Sequence, residues 1–197
     1  MDDVKTDKLF LEDSYLKECD AKVLSISEDG TTIVLDRTVF YPRGGGQPCD
    51  LGVIHKNNIN NNSYNNIDNN SYNIIEVTKV NDTIFHKLDK TGLAIGDTVH
   101  CKIDWNRRYK LMKMHTASHL MDAVMYGDGE ILVTGNELGV EKSRIDFSLK
   151  NFSKEIMQEY VDKTNLLIQN DALIKNYYLK KIDAMKIPGI EIGRAHV

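Results

Sequence analysis

The sequence predicts an α+β fold in which a small N-terminal β-barrel precedes an α/β domain that contains one long helix. Short β-rich segments joined by turn residues occupy the first half, as is typical of small barrels. From Trp105 onward, apolar residues instead recur at helical spacing. Because the pattern changes near residues 100–104, we expect a barrel domain over 1–100 and a second domain over 101–197.

The expected barrel strands are β-branched runs that alternate with turn residues. Glu28-Asp29-Gly30 separates two such runs and Asn81-Asp82 separates two more, so each set predicts a hairpin. Gly92 and Gly96 come before a last short run. Strands are therefore expected over residues 21–26, 31–35, 52–54, 74–80, 83–88 and 98–103.

An asparagine-rich stretch covers residues 57–73 and interrupts the barrel sequence. It contains too few apolar groups to offset the entropy of fixing the chain, so we expect a flexible insertion at a hairpin tip without a functional role. The strands on either side can still pair, because lengthening a loop costs stability only slowly.

The long helix is predicted over residues 106–126, where apolar side chains fall on one broad face. Gly127-Asp128-Gly129 is expected to end it, since glycine commonly follows the last turn of a helix. The apolar face consists of Leu111, Met114, Ala117, Leu120, Met121, Val124 and Met125.

The remainder of the second domain is expected to contain a strand over 143–149, a helix and a further strand over 179–182. Ser153 is a suitable cap for the helix, because its hydroxyl can accept a backbone N–H of the first turn. The candidates for burial on that helix are Ile156, Tyr160, Leu167 and Ile168.

Composition favours a cytoplasmic protein. The N-terminus is charged from Asp2 onward, and no apolar run approaches the roughly 20 residues that a bilayer-spanning helix needs, so no membrane partner is expected. Cys19, Cys49 and Cys101 lie far apart and form no Cys-x-x-Cys pair. This pattern argues against a disulfide framework and indicates a reducing compartment.

Charge counts weakly against a nucleic-acid partner, because phosphate contacts favour basic surfaces and the net charge is −4. Two local basic stretches exist, and composition alone favours reading each as a solvated helix face. The first contains Lys102, Arg107, Arg108, Lys110 and Lys113, and the second contains Lys175, Lys180, Lys181 and Lys186.

Two histidines form the first motif that carries chemistry. His115 and His119 are four residues apart on the predicted helix, so both imidazoles can reach one metal ion. No glutamate follows His115, and the zinc-protease motif His-Glu-x-x-His is therefore absent. Such a pair by itself is more often structural or coincidental than metal-binding.

The second motif is the glycine run Gly44-Gly45-Gly46 within residues 40–52. Three glycines allow close backbone approach to a ligand or a tight turn at a barrel corner, and composition leaves both open. A phosphate-binding role for this glycine run fits poorly, because neither known glycine-rich phosphate motif is complete.

A third motif places Arg144 and Asp146 on one side of a strand. An ion pair between them is equally compatible with a structural and a catalytic role.

The order of these motifs resembles that of the AlaX family, the free-standing homologues of the alanyl-tRNA synthetase editing domain. The matching segments are residues 11–15, 41–52, 115–120 and 144–147, and the resemblance runs from about residue 9 to about residue 190. It is closest to the medium-length type, which implies an N-terminal barrel before an editing domain.

The resemblance implies an ester hydrolase that removes serine or glycine from mischarged tRNA(Ala) and spares alanyl-tRNA(Ala). Its partner is then mischarged tRNA(Ala), with neither DNA nor a membrane involved. The alternative is a catalytically inactive tRNA-binding or interaction module of the same fold. An unrelated enzyme that binds a metal through two histidines is a third possibility.

The resemblance also implies zinc, held by His115, His119 and a Cys-x-x-x-His element near the C-terminus. No cysteine follows Cys101, and Ile192 and His196 match that element only faintly. We therefore expect a C-terminally incomplete editing domain with low zinc occupancy. The resemblance assigns catalysis to Gly45, Gly46 and Gln47, and substrate binding to Arg43, Gly44, Arg144 and Asp146.

Overall fold

A computed structural model describes residues 4–57, 70–129, 131–151, 153–171, 173–175 and 178–187. The chain divides into two compact units. The barrel unit comprises Met1–Gly44 and Pro48–Tyr109, and the second unit comprises Gly45–Gln47 and Lys110–Val197. Most of the asparagine-rich stretch, residues 58–69, lies outside the described residues, as does His196. Within the described residues, no helix combines the length and the apolar character that crossing a membrane requires.

The observed elements mix strands and helices, which confirms the predicted α+β class. In chain order they are β1 (Asp7–Lys8), α1 (Leu9–Glu12), β2 (Glu18–Ile26), β3 (Thr32–Leu35), β4 (Arg37–Thr38), β5 (Gly52–Lys56), β6 (Ser71–Val80), β7 (Thr83–Leu88), β8 (Thr98–Ile103), α2 (Trp105–Gly129), β9 (Val133–Glu137), β10 (Arg144–Phe147), α3 (Lys154–Gln169) and α4 (Lys181–Ala184).

Six strands of the barrel unit close into an antiparallel barrel in the order β2-β3-β7-β6-β5-β8. Closure pairs every strand on both sides and turns alternate side chains inward, where they exclude water. The small barrel expected from the sequence is therefore confirmed. Its interior includes Val23, Ile33, Leu35, Phe40, Ile54, Val77, Ile84 and Val99, all completely buried.

Both predicted hairpins are present. Gly30 takes a φ of 72° in the β2–β3 turn and donates its N–H to Ser27 O over 2.9 Å. Asn81 takes a φ of 53° between β6 and β7, a conformation that asparagine tolerates better than most residues. Across the asparagine-rich stretch, β5 and β6 pair in register from Gly52↔Ile74 to His55↔Ser71. The expectation that these flanking strands still pair is confirmed. The predicted insertion was too long, however, because residues 71–73 belong to β6 and Tyr72 is buried.

A buried ion pair joins the start of α2 to the chain that enters β5. Arg108 Nε lies 2.9 Å from both carboxylate oxygens of Asp50, and its two terminal nitrogens reach Ser14 O at 3.0 Å and Val39 O at 2.6 Å. Asp50 also exchanges hydrogen bonds with Tyr41, since Tyr41 N–H donates to its carboxylate and its own N–H donates to Tyr41 O. The side chains of Arg108 and Asp50 are only 3% and 1% exposed. Placing Arg108 on a solvated helix face was wrong, because these acceptors compensate its desolvation.

His86 is the one completely buried histidine among the described residues, and it lies on β7. Its Nε2 is 2.8 Å from Thr38 Oγ1, and its ring meets Phe40 edge-on. Burial lowers the pKa of His86 from its usual 6.5 to about 4, because the charged imidazolium loses hydration inside the barrel.

Acidification is therefore expected to destabilise the barrel through His86. The unfolded chain takes up the proton near pH 6.5 and the folded chain only near pH 4, so stability present above 6.5 is lost progressively as the pH falls to 4. The loss attributable to this group is about 3 kcal/mol. Urea denaturation across this range should show a shallower pH dependence for His86→Gln than for wild type, and equal slopes would contradict the assignment.

In the second unit, α2 extends as predicted but continues through Gly129, beyond the expected end at Tyr126. The last turn is held in place because Lys163 donates to the carboxylate of Asp128. Leu111 and Met125 on the predicted apolar face are completely buried. After α2, β9 and β10 form an antiparallel ribbon in which Asp146 lies opposite Gly135.

The predicted Ser153 cap of α3 is confirmed, since its Oγ accepts the N–H of Ile156 over 3.2 Å. The candidates for burial were largely wrong: Ile156, Leu167 and Ile168 are exposed, and Tyr160 is half-buried. The helix instead buries Thr164, whose hydroxyl is satisfied by donating to Tyr160 O.

The strand expected over residues 179–182 is also wrong. The short helix α4 begins at Lys181, and residues 179 and 180 belong to no regular element. Backbone hydrogen bonds in this segment are local, as when Ala184 N–H donates to Lys180 O over 3.0 Å. A helical turn satisfies these groups without a partner strand.

Candidate functional site

The two motif histidines lie one turn apart on α2. The ring centroids of His115 and His119 are 5.0 Å apart, and their planes differ by 16°. Helical spacing of four residues places both rings on the same face, as the sequence suggested. His115 is half-buried and His119 is exposed, so this face of the helix is open to a ligand.

Gln47 fixes the orientation of His115. Its side chain is buried, and its Oε1 lies 2.8 Å from His115 Nδ1. A carbonyl oxygen can only accept, so Nδ1 carries the proton and Nε2 keeps its lone pair. Burial, and secondarily the neighbouring His119, lowers the pKa of His115 below its usual value. The imidazole is thus held neutral and in one tautomer.

One of the two glycines next to Gln47 approaches the same ring. Gly45 and Gly46 have φ values of 59° and 76°, in the left-handed region that favours glycine. A Cβ added at Gly45 would lie 3.8 Å from His115 Cε1. One added at Gly46 would lie 2.0 Å from Asn136 Oδ1, so a side chain here would have to displace that of Asn136.

Strand β9 and the residue after it hold this glycine segment in place. Leu138 N–H donates to Gly46 O over 2.8 Å, and Asn136 Nδ2 donates to Gly45 O over 3.4 Å. Asn136 is exposed and polar, and it was not among the predicted site residues. Its position in a short strand beside Gly135 was the available signal.

The other predicted residues occupy different places. Arg144 Nε and Asp146 Oδ2 are 3.5 Å apart on β10, so the expected ion pair forms, with both side chains exposed. Among the described residues, no hydrogen bond or ion pair joins either of them to the histidines.

The predicted residues Arg43 and Gly44 belong to the barrel unit. The Arg43 N–H donates to Val77 O, and Gly44 O accepts a hydrogen bond from the Tyr41 hydroxyl.

Comparison with known proteins identifies the family. Residues 3–107 match the family model for class II (A) tRNA synthetases. Over 190 residues, the chain is 36% identical to the alanyl-tRNA editing protein AlaX-M of Saccharolobus solfataricus, a match that covers 94% of this chain and 73% of that protein. The corresponding protein of Methanosarcina barkeri is 38% identical over 183 residues, or 91% of this chain and 71% of the relative. The chain belongs to the AlaX family.

The AlaX assignment confirms the family resemblance read from the order of the motifs. Similarity extends to the alanine–tRNA ligase of Sulfurisphaera tokodaii, which is 35% identical over 191 residues. That match covers 95% of this chain and only 20% of the ligase. The AlaX chain therefore corresponds to one part of a much larger protein.

The described residues provide only part of a zinc site. His115 and His119 supply two imidazoles, of which Nε2 of His115 is kept unprotonated by Gln47. Among the residues that the structure describes, no group of three or more His, Cys, Asp or Glu side chains is arranged to hold a metal ion. Three protein ligands are the usual minimum for catalytic zinc. The described residues do not complete the site that the AlaX resemblance implied.

Proposed function

We propose that the chain is a cytoplasmic trans-editing hydrolase that deacylates mischarged Ser-tRNA(Ala) or Gly-tRNA(Ala) and spares Ala-tRNA(Ala). The names of the relatives support an alanyl-tRNA editing role. The observation that carries the proposal is the hydrogen bond from His115 to Gln47, beside Gly45 and Gly46, because it joins two distant motifs in one polar site.

The chemistry asked of this site is modest. An aminoacyl ester is more labile than an amide, so the site has to hold the ester, orient a water and stabilise the developing oxyanion. We assign oxyanion stabilisation to the backbone of Gly45 and Gly46, because neither residue carries a side chain of its own that would cover its peptide groups. Gln47 holds Nδ1 of His115, which leaves the lone pair of Nε2 available to a ligand.

Discrimination against alanine would come from hydrogen bonding. A site that binds the serine hydroxyl leaves its own polar groups unpaired when alanine occupies it, and this penalises the correct product. With its Oε1 bound to His115, Gln47 offers its side-chain Nε2 as the donor for that hydroxyl. We further propose that Arg43, Gly44, Arg144 and Asp146 contact the tRNA part of the substrate.

Zinc remains the proposed cofactor, with His115 and His119 as two of its ligands. When bound, it would act as a Lewis acid toward the ester or activate a water.

A second candidate function is a tRNA-binding module without catalysis. It is favoured by the absence of a third metal ligand among the described residues. Metal content and deacylation measured together separate the two candidates.

Removal of the Gln47 side chain tests the site. Gln47→Ala should lower deacylation of Ser-tRNA(Ala) by about 10- to 100-fold, because His115 loses the group that fixes its tautomer. Gln169→Ala replaces an exposed glutamine at the end of α3 and should leave the rate unchanged. Equal rates for wild type and Gln47→Ala, measured at concentrations that give a detectable wild-type rate, would contradict the assignment.

Zinc content tests the cofactor. Two imidazoles hold zinc weakly, so the 197-residue chain should lose the metal on dialysis, and its deacylation should rise on adding zinc and stay low in His119→Ala. Stoichiometric zinc that survives dialysis and disappears on replacing His196 would contradict the expected weak binding. Tight tRNA binding without deacylation at any zinc concentration would favour the non-catalytic module.

A further inference from the structure

Three aromatic side chains cluster on the surface of the barrel unit, far along the sequence from the glycine motif. Trp105 stacks on Tyr109 with ring centroids 5.6 Å apart and planes 24° apart. Tyr15 lies 5.7 Å from Trp105 and 6.5 Å from Tyr109. We call Tyr15, Trp105 and Tyr109 the aromatic patch.

The aromatic patch is both exposed and fixed. Tyr15 is 61% exposed and Tyr109 is 40% exposed, although rings of this size gain most from burial. Trp105 packs against the barrel core, and the N–H of Tyr15 donates to Asp13 Oδ1 over 2.8 Å. Ring surface that is already ordered before a partner arrives binds it at a low cost in conformational entropy.

A cation accompanies the rings. Lys17 Nζ lies 4.8 Å from the centroid of the Trp105 ring, and the Lys17 side chain is exposed. The acidic neighbour Glu18 is partly neutralised by Lys102, whose Nζ lies 3.9 Å from its carboxylate. The patch therefore presents stacking surfaces next to a positive charge, although the chain as a whole is acidic.

We infer that the aromatic patch binds an unpaired nucleotide at the single-stranded end of a tRNA, with the base stacked on Tyr15 or Tyr109 and a phosphate near Lys17. Proteins that hold single-stranded nucleic acids combine aromatic platforms with cations, because every base has a stacking face and every linkage has a charge. The identity of the nucleic acid rests on the proposed function. The stacking chemistry rests on the patch itself.

The test uses the fact that Trp105 is the only tryptophan in the chain. Its fluorescence is titrated with a short single-stranded RNA that ends in CCA, and separately with a blunt RNA hairpin that has no unpaired end. The single strand should quench Trp105 saturably and with the lower Kd. Absence of quenching by the single strand, or equal Kd values for the two RNAs, would overturn the inference.

Variants locate the binding surface. Tyr15→Ala should raise the Kd for the single strand about tenfold, whereas Tyr15→Phe keeps the ring and should bind like wild type. Tyr178→Ala removes a more exposed tyrosine of the second unit and should have no effect. Lys17→Gln should reduce the slope of log K against log salt by about 0.7, the value for one phosphate of a single strand. Circular dichroism confirms that each variant is folded.

The outcomes separate this inference from the proposed function, because the RNA carries no amino acid and its binding needs no hydrolysis. Tyr15-dependent binding without any deacylation would support the patch and count against the hydrolase. An unchanged Kd in both Tyr15→Ala and Tyr109→Ala would overturn the inference even in an active enzyme. Self-association that is lost in Tyr15→Ala, without RNA binding, would also overturn it and assign the patch to a protein contact.

Discussion

Replacing Asp50 with alanine is expected to lower the free energy of unfolding of the barrel unit by about 3–5 kcal/mol. The variant leaves the Arg108 guanidinium buried without its carboxylate partner, and it removes the acceptor of the Tyr41 N–H. An uncompensated buried charge costs far more than a lost surface contact. Urea denaturation followed by the fluorescence of Trp105, which belongs to the barrel unit, measures the change.

Asp82→Ala is the matched control for that experiment. Asp82 pairs with Lys8 over 2.5 Å, but its side chain is 65% exposed. Solvent screens such a pair, so its removal should lower the free energy of unfolding much less than the loss of Asp50. Similar losses in the two variants would show that burial does not set the contribution of the Arg108–Asp50 pair.

Gly52→Ala should be comparably disruptive, with an expected loss of about 3 kcal/mol or more. A Cβ at this position would lie 2.2 Å from Lys102 O, 2.8 Å from Ile103 Cα and 2.9 Å from Phe40 Cε1. Two of these atoms belong to the backbone of β8, which pairs with β5 at Gly52. These atoms can move away only if backbone hydrogen bonds between β5 and β8 break. The resulting loss of stability is measured by the same urea denaturation.

Gly127→Ala provides the contrast. An added Cβ at Gly127 meets no atom within 4 Å, and the residue lies in α2. Alanine favours the helix over glycine, so this variant should gain up to about 1 kcal/mol. A stable Gly52→Ala variant would mean that β5 and β8 separate at little cost.

The barrel was predictable because its determinants are local. Turn residues at Gly30 and Asn81 and the β-branched runs beside them specify hairpins without reference to the rest of the chain. The site was predictable only in part. Helical spacing placed His115 and His119 together, but the bond from His115 to Gln47 spans 68 residues, a separation that no periodicity encodes.

The incorrect predictions for Arg108 and for α3 share one cause, which is tertiary context. In the sequence, Arg108 is one of several cations in a basic stretch. Its buried partners Asp50, Val39 and Ser14 come together at the guanidinium only in the folded chain. Apolar spacing on α3 likewise predicts which residues could be buried, but not which face another element covers.

The segment from Gly45 to Gly52 contributes both to the candidate site and to the packing of the barrel. Gly45 and Gln47 belong to the second unit and contact or approach His115. Asp50 and Gly52 belong to the barrel unit and maintain its packing. Substitutions in the first part should therefore alter activity before stability, and those in the second part should alter stability first.

The register of β5 and β6 also bears on which changes in length the chain tolerates. The two strands pair from Gly52↔Ile74 to His55↔Ser71 although a long stretch of chain connects them. Each doubling of a connecting loop costs only about 0.6 kcal/mol. A change in the number of connecting residues is therefore expected to cost little stability, whereas a single residue added within either strand would shift every inward side chain outward.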